Sequence, residues 1–542
     1  MKNKISKLAA GLLFAILTIS CSSGELTGNA FEDQFADVSA AKTPYRNSVS
    51  DSKWQDQIIY FIFTDRFVNG DKSNDANVRA NDPWAYHGGD LQGVINKLDY
   101  IKDLGATTIW ITPPMDNRDN GFRADFGGGH FQEIWGYHGY WTKNFYAVDE
   151  HLGSMAKMQE LVSKAHAKGI KVLIDIVVNH LDYDHEFAKD KNNPQGKYYK
   201  WLHHHGVIKN YDDPWWVENG ELAELPDVDQ DNSEAANYLL DASKWWIKQT
   251  GADGFRLDTV KHVGHEFWKK FAREIHQYAG NDFLLLGEVY DGRPEINASY
   301  IRDGLNSTFD FPFYYAIKDV FGHVKSMRQV ASLFERDNVY PNPNMMSPFI
   351  DNHDVPRFLH EAGNNGVEKL KMAMAFIMTV RGIPTIYYGT EIALPGGADP
   401  DNRRDMVWGN KNVGVTNYLK QLTSIRKSYV AMRQGSQLEM WQDDQIFSFL
   451  RTTGNPEEEV ITVLNNSDGN QTRTIQLRAE SKMANGTVLT NLMGSDNVSV
   501  NNRSITFTIG PKETKIFASA KNIKNSLKKN TVVKPVTPTK RK

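Results

Sequence analysis

Only one cysteine, Cys21, stands in this chain of 542 residues, so no internal disulfide holds it together in any redox compartment. Charge of one sign is not in excess either. The 62 basic side chains against 66 acidic ones leave a net charge of -4, which gives no footing for a nucleic-acid partner. Beyond Ile19 no apolar run is long enough to span a bilayer. No Gly-rich loop follows the first strand-like run, so a dinucleotide-binding fold lacks its phosphate cradle. What the chain does have is length, more than one hydrophobic core normally supports, which implies two or three domains. It is also generous in aromatic rings, with 13 Trp and 22 Tyr. Such rings stack on sugars, although composition alone assigns most of them to the core.

The N-terminus reads as an address. Lys2, Lys4 and Lys7 precede an apolar run from Leu8 to Ile19 that is too short for a stable anchor, so residues 1–20 are expected to be a secretory signal. Leu17-Thr18-Ile19-Ser20-Cys21 resembles a bacterial lipobox, with Thr18 in place of the usual Leu. The expectation is an exported protein held to the bacterial envelope by a lipid on Cys21 and touching the membrane in no other way. The plainer alternative is an ordinary signal with an incidental Cys. Residues 21–50 are polar and aperiodic, as a flexible tether would be.

A different rhythm begins near residue 57. Eight apolar runs, at 58–67, 107–113, 171–180, 254–258, 283–289, 307–311, 347–354 and 383–389, alternate with helix-like stretches such as LQGVINKLDYIKDLG and MAKMQELVSKAHAKG. Each stretch ends at a Gly placed to cap a helix. Eight buried-type strands separated by helices predict an α/β fold, a (β/α)8 TIM barrel, over 51–180 and 233–432. Residues 181–232 interrupt the rhythm and predict a small domain inserted after strand 3. From 433 to 518 apolar and polar residues alternate between Asn-Gly and Asp-Gly turns, which predicts a C-terminal antiparallel β-sandwich. Residues 519–542 are basic, carry Pro535 and Pro538, and read as a disordered tail.

Function in a parallel barrel gathers at the C-terminal strand ends. Here those ends carry His180, Asp258, Glu288 and Asp354. One acid at a strand end can be structural. Three on separate strands repel one another, and chemistry explains them better than stability does. Arg256 lies two residues before Asp258, so the strand period puts both on one face, where a fixed cation keeps the carboxylate ionised. Glu288 has an apolar approach, Leu284 to Leu286, which raises the pKa of a general acid. An acid beside a nucleophilic carboxylate is the pair that cleaves glycosidic bonds.

VLIDIVVNH, GFRLDTVKH, GEV and FIDNHD, in this order, resemble the four signature segments of the α-amylase family, glycoside hydrolase family 13. The likeness covers roughly residues 55 to 410, and no catalytic position departs from the pattern. It implies Asp258 as nucleophile, Glu288 as acid/base and Asp354 as the third carboxylate. It also implies Arg256, His180 and His353 around the glucose at the cleavage point, Tyr140 of GYHGYW stacked upon it, and Asp399 with Arg403 on the next sugars. LPDVD at 225–229 is similar to the form found in α-amylases, with Val228 for the usual Leu. Thr259-Val260-Lys261-His262 is similar to the form that continues an α-1,4 chain, with Lys261 on the leaving side. The expected substrates are α-glucan oligo- and polysaccharides.

Calcium is the expected ion. Asn69, Asp71, Asn74 and Asp75 crowd oxygen atoms onto one loop, as a hard cation requires, although a solvated turn has the same look. The spacing resembles a calcium loop of cyclodextrin glucanotransferases and neopullulanases, which adds Gly88 through its carbonyl and Asp90. A second site common in α-amylases implies Asn179, Asp227 and the carbonyl of His262. DVDQDN at 227–232 lacks the Gly and final Glu of an EF-hand. The run His203-His204-His205 reads as an exposed loop before it reads as a transition-metal site. Three functions compete on these residues. They are an endo-acting α-1,4 hydrolase, a glucanotransferase or cyclodextrin- or pullulan-degrading enzyme, and an inactive glycan-binding lipoprotein. Cyclodextrin glucanotransferases carry two further C-terminal domains for which this chain has no room, which favours hydrolysis.

Overall fold

Strand β1 (Ile59–Ile62) is apolar on both faces and fully buried, as a strand must be when it is packed between a barrel interior and a shell of helices. The computed structural model describes residues 53–125, 131–409 and 412–519. Cys21, the signal and tether, and the basic tail from 520 onward lie outside the described residues.

Six more strands join β1 in a parallel sheet: β2 (Thr108–Ile111), β3 (Lys171–Ile176), β4 (Gly254–Leu257), β5 (Leu284–Gly287), β6 (Ser307–Thr308) and β7 (Thr385–Tyr387). The spatial order is β6-β5-β4-β3-β2-β1-β7. The two edges are joined through residues 346–348. Ser347 pairs in parallel with Phe309, its amide donates to Thr308 O at 2.9 Å, and Thr385 donates to Pro348 O at 2.9 Å. Eight positions therefore close a (β/α)8 barrel, but the run expected at 347–354 is a bridge and not a regular strand. Pro348 accounts for this, since it has no N–H to give a ladder.

The helix-like stretch 91–105 is two helices, Leu91–Asn96 and Leu98–Leu104, divided at Lys97. Gly105 closes the second at φ +90°, and a Cβ there would come within 2.3 Å of Thr423 Oγ1, so both conformation and space demand glycine. Residues 181–232 carry little regular structure beyond helix Pro214–Asn219, and their return to the barrel is pinned where His180 pairs with Asp227. The C-terminal region is antiparallel, with a six-stranded sheet and a two-stranded one, Gln471–Gln476 with Ser504–Ile509. Strand Ile446–Thr452 is buried on both faces. Phe447 and Phe449 turn to Phe334 of the barrel, while Ile446 and Leu450 build the second apolar core with Ile475 and Ile505.

Candidate active site

Parallel register sets the geometry of the barrel mouth. Arg256 is paired with Asp175 of β3 on one side and with Leu286 of β5 on the other. Just past these strands the Glu288 amide donates to Leu257 O at 2.9 Å, so Glu288 and Asp258 stand at the same level on neighbouring strands. Arg256, 1% exposed, is the hub. Its Nη1 lies 2.6 Å from Asp258 Oδ1 and 3.0 and 3.1 Å from the two oxygens of Asp175, and its Nη2 lies 2.9 Å from Glu288 Oε1. Asp175 also accepts from Trp110 Nε1 at 3.0 Å and from Tyr140 Oη at 2.8 Å. Thr259 adopts φ +45°, unusual for a β-branched residue, and in that conformation its N–H donates to Glu288 Oε2 at 3.0 Å.

Asp354 comes from the far side of the barrel. Its oxygens lie 3.3 Å from His353 Nε2 and 3.4 Å from Arg403 Nη2, and its side chain is 34% exposed, reaching into the cleft. Arg403 also meets Asp399 at 3.1 Å and donates from Nε to His353 O at 3.0 Å. Tyr140 stacks on His353, with centroids 5.2 Å apart and planes at 17°. The structure thus brings Asp258, Glu288, Asp354, Tyr140, Arg256, His353, Asp399 and Arg403 into one cluster. Lys261 lies beside it on a short leash, its Nζ held by Asp291 at 3.0 Å.

Four carboxyls, the buried Asp175, Asp258 and Glu288 and the cleft-facing Asp354, share two guanidiniums in this network. Burial raises all four above the ordinary carboxylate range, against the pull of Arg256, with Asp175 pushed up to about 8. Asp354 is pushed up to about 7 by burial and then by the Glu288 charge. With two guanidiniums for four carboxyls the cluster favours keeping a proton, and Glu288 is among the groups held toward the protonated form, raised by burial and by the Asp258 charge. A proton on one carboxyl beside an arginine-held second carboxylate is what general-acid cleavage with a carboxylate nucleophile requires.

His180 stands at the edge of this cluster and bears on a second one. Burial lowers its pKa to about 4, so the ring is neutral and carries one N–H. Nε2 faces the Tyr140 carbonyl at 3.2 Å, an atom that only accepts, so the hydrogen is there. Nδ1 is then a bare acceptor, and Asn179 turns its amide NH2 to it at 3.3 Å. The other end of the amide, its oxygen, consequently faces two more acceptors, His262 O at 2.8 Å and Asp227 Oδ1 at 3.3 Å. Three converging oxygens in this amide orientation have the chemistry that suits a hard cation.

The loop at 69–75 is different. Asp90 spends its carboxylate on the amides of Gly70, Asp71 and Gly93, capping helix Leu91–Asn96. Asp71 accepts from Ser73, and Asn69 donates to Asp75 at 2.7 Å. Two features still fit a cation there. The buried Asn74 Oδ1 has no partner, and Gly88 approaches so closely that a Cβ would lie 2.6 Å from Asn69 and 2.9 Å from Asp75.

Asp175, Trp110 and Asp291 belong to the barrel mouth and were not singled out from the sequence. Asp175 had a legible signal, an acid in the middle of the apolar run VLIDIVV. Asp116, Asp119 and Glu150 also come within metal-holding reach of one another, but Lys143 already supplies a cation to Asp116 at 3.1 Å and to Asp119 at 2.5 Å.

The model of the α-amylase catalytic domain matches residues 61–453. A beta/alpha-amylase of Paenibacillus polymyxa is 44% identical over 86% of the chain, which spans only 38% of that relative's length. Among solved structures, an Anoxybacillus α-amylase superposes with a TM-score of 0.78 at 37% identity, covering 87% of this chain and all of that one. A cyclomaltodextrin glucanotransferase with a three-domain ABC distribution superposes at 0.76 with 31% identity, covering 85% of this chain and 98% of its own. The last corrects an expectation, because a glucanotransferase does not need the two further domains. Domain number therefore does not separate transfer from hydrolysis.

Proposed function

Because the chain belongs to the α-amylase family, glycoside hydrolase family 13, we propose that it is a retaining, endo-acting hydrolase of α-1,4-glucosidic bonds in starch, maltodextrins and related α-glucans. The observation that carries this is the single guanidinium of Arg256 gripping both Asp258 and Glu288. Carboxyls on adjacent nitrogens of one arginine stand side by side. That supports the close spacing of retention, about 5–5.5 Å, over the ~6.5–9.5 Å that admits a water in inverting enzymes. In this reading Asp258 attacks the anomeric carbon while Glu288 delivers its proton to the departing glycosidic oxygen. Water then opens the glucosyl–Asp258 ester, and its proton returns to Glu288. Asp354 stabilises the oxocarbenium-like transition state, with Tyr140, His180 and His353 around the sugar. Lys261, held by Asp291 at 3.0 Å, has further ammonium hydrogens to donate to a leaving-side hydroxyl, which supports α-1,4 specificity because a wrong linkage forgoes that contact. NMR of fresh digests should show the α-anomer first; a β-anomer as initial product would sink the retaining mechanism.

A second reading, glucanotransfer, differs only in the acceptor, a sugar hydroxyl in place of water, and the three-domain glucanotransferase keeps it open. Product analysis on amylose, pullulan and cyclodextrins distinguishes the two. The three acids together weigh against an inactive sugar-binding protein.

Calcium is part of the same proposal, as a structural ion that ties elements together and stabilises the native state. Asn179, Asp227 and the His262 carbonyl would hold one ion between the inserted segment and the barrel. Asn69, Asp71, Asn74, Asp75, Gly88 and Asp90 would hold another. Export and lipid anchoring at Cys21 complete the proposal, supported by the lysines, apolar run and lipobox-like segment ahead of it. A mature N-terminus beginning elsewhere by mass spectrometry would remove the anchor.

A further inference from the structure

The run His203-His204-His205 is not one cluster. The His204 ring stacks on Tyr199 at 3.9 Å with Nε2 at the Tyr199 carbonyl, and His205 packs against Trp215. Only His203 faces acids. We propose that His203 is the positioning residue of the inner calcium site, orienting its ligand Asp227 through a chain of contacts Asp229–His203–Asp227. This inference rests on the calcium reading above.

Backbone pairing puts the three side chains together. Leu202 and Val228 form an antiparallel bridge, the His203 amide donates to Asp227 O at 2.9 Å, and the Asp229 amide donates to Trp201 O at 2.8 Å. His203 therefore lies opposite Asp227. Asp229, two residues further along, points to the same face. The side chains use that placement. Nδ1 of His203 donates to Asp227 Oδ2 at 2.7 Å, and its Nε2 lies 3.5 Å from Asp229 Oδ1. Asp229 is itself fixed, accepting from the amides of Asp231 at 3.0 Å and Asn232 at 3.3 Å.

Asp227 thus divides its oxygens. Oδ2 belongs to His203, and Oδ1 belongs to the group formed with Asn179 and His262 O. A carboxylate on its own rotates freely about its last bond. With Oδ2 pinned by a ring that is 12% exposed, Oδ1 is aimed at the cation position before any ion arrives. Groups that orient metal ligands in this way typically change affinity about 10–100-fold when removed.

The test is calcium chloride titrated calorimetrically into the full chain after chelation, with Asp227→Asn identifying the heat that belongs to this site. His203→Ala should weaken that site by about 10–100-fold, and His203→Asn, which keeps a donor near the Nδ1 position, should restore most of it. Asp229→Asn, at a position 28% exposed and safe for the fold, should weaken it a few-fold. Unchanged affinity in both His203→Ala and Asp229→Asn would overturn the role of His203 and leave the calcium reading standing. Wild-type chain showing no Asp227-dependent calcium heat would overturn both.

Discussion

The catalytic mouth and the Asn179–Asp227–His262 site are two answers to one electrostatic problem. Each gathers buried oxygen atoms from segments far apart in sequence. At the mouth the compensating cations are built in, because Arg256 and Arg403 are covalent parts of the fold and cannot leave. At the second site Asn179 Oδ1, Asp227 Oδ1 and His262 O face one another with no arginine or lysine hydrogen-bonded to them, and the balancing group is the His203 ring on the other oxygen of Asp227. Fixed guanidiniums hold the carboxyls of the mouth in place for chemistry, whereas converging neutral and anionic oxygens suit a mobile ion. The outer loop at 69–75 lies between these extremes, since most of its acceptors are already used by its own amides.

The comparison breaks most visibly at the mouth. Asp258→Asn and Glu288→Gln should each lower turnover by several orders of magnitude, measured on maltooligosaccharides, with the circular dichroism spectrum unchanged. Arg256→Ala should in addition cost the fold about 3–5 kcal/mol, because it strands carboxylates that the guanidinium neutralises; denaturant unfolding measures that loss. Chelation should come next in size. A calcium ion at 100 times its dissociation constant contributes about 2.7 kcal/mol, and most of the chelator-sensitive fall in Tm should vanish in Asp227→Ala but persist in Asp75→Ala. An equal dependence on both would erase the distinction drawn between the buried site and the self-satisfied loop.

The smallest effect concerns Asp354, whose pKa rises from 3.8 to about 7. Between those values the folded chain keeps a proton that the unfolded chain has released, so this group's contribution to stability falls as pH rises through the window. Asp354→Asn has no such proton to lose. It should raise Tm relative to wild type at mildly alkaline pH and not below the ordinary carboxylate range, while turnover is lost. In the wild type, rising past about 7 also adds the Asp354 charge beside Glu288, so the activity profile should bend there. A Tm difference independent of pH would mean that Asp354 titrates normally.

The barrel was legible because its strands are short, buried and apolar, and because an acid closing such a strand, as Asp258 and Glu288 do, has no structural excuse. Asp175 escaped because it sits inside a strand and its importance lies in partners, Trp110 and Tyr140, brought from other segments. The bond between Lys261 and Asp291 escaped for the same reason, as did the tie between His203 and Asp227. Pro348 was visible in the sequence, yet its consequence, a strand reduced to a bridge, depends on which neighbours would have paired with it. The transfer-versus-hydrolysis inference failed on a different ground, since it rested on domain inventory and not on any residue in the cleft.

That reduced strand has a mechanical consequence. Little ladder grips residues 349–354, and the segment is clasped instead by the stretch 399–403. Asn402 Nδ2 donates to the carbonyls of His353 at 2.7 Å and Val355 at 3.0 Å, and Arg403 Nε donates to His353 O. The carboxylate of Asp354 is thus mounted on the same bracket as Asp399 and Arg403. Any displacement of Arg403, or of Asp399 through its ion pair with it, reaches the backbone under Asp354 through these side-chain hydrogen bonds, so the position of the 399–403 stretch and the aim of that carboxylate move together.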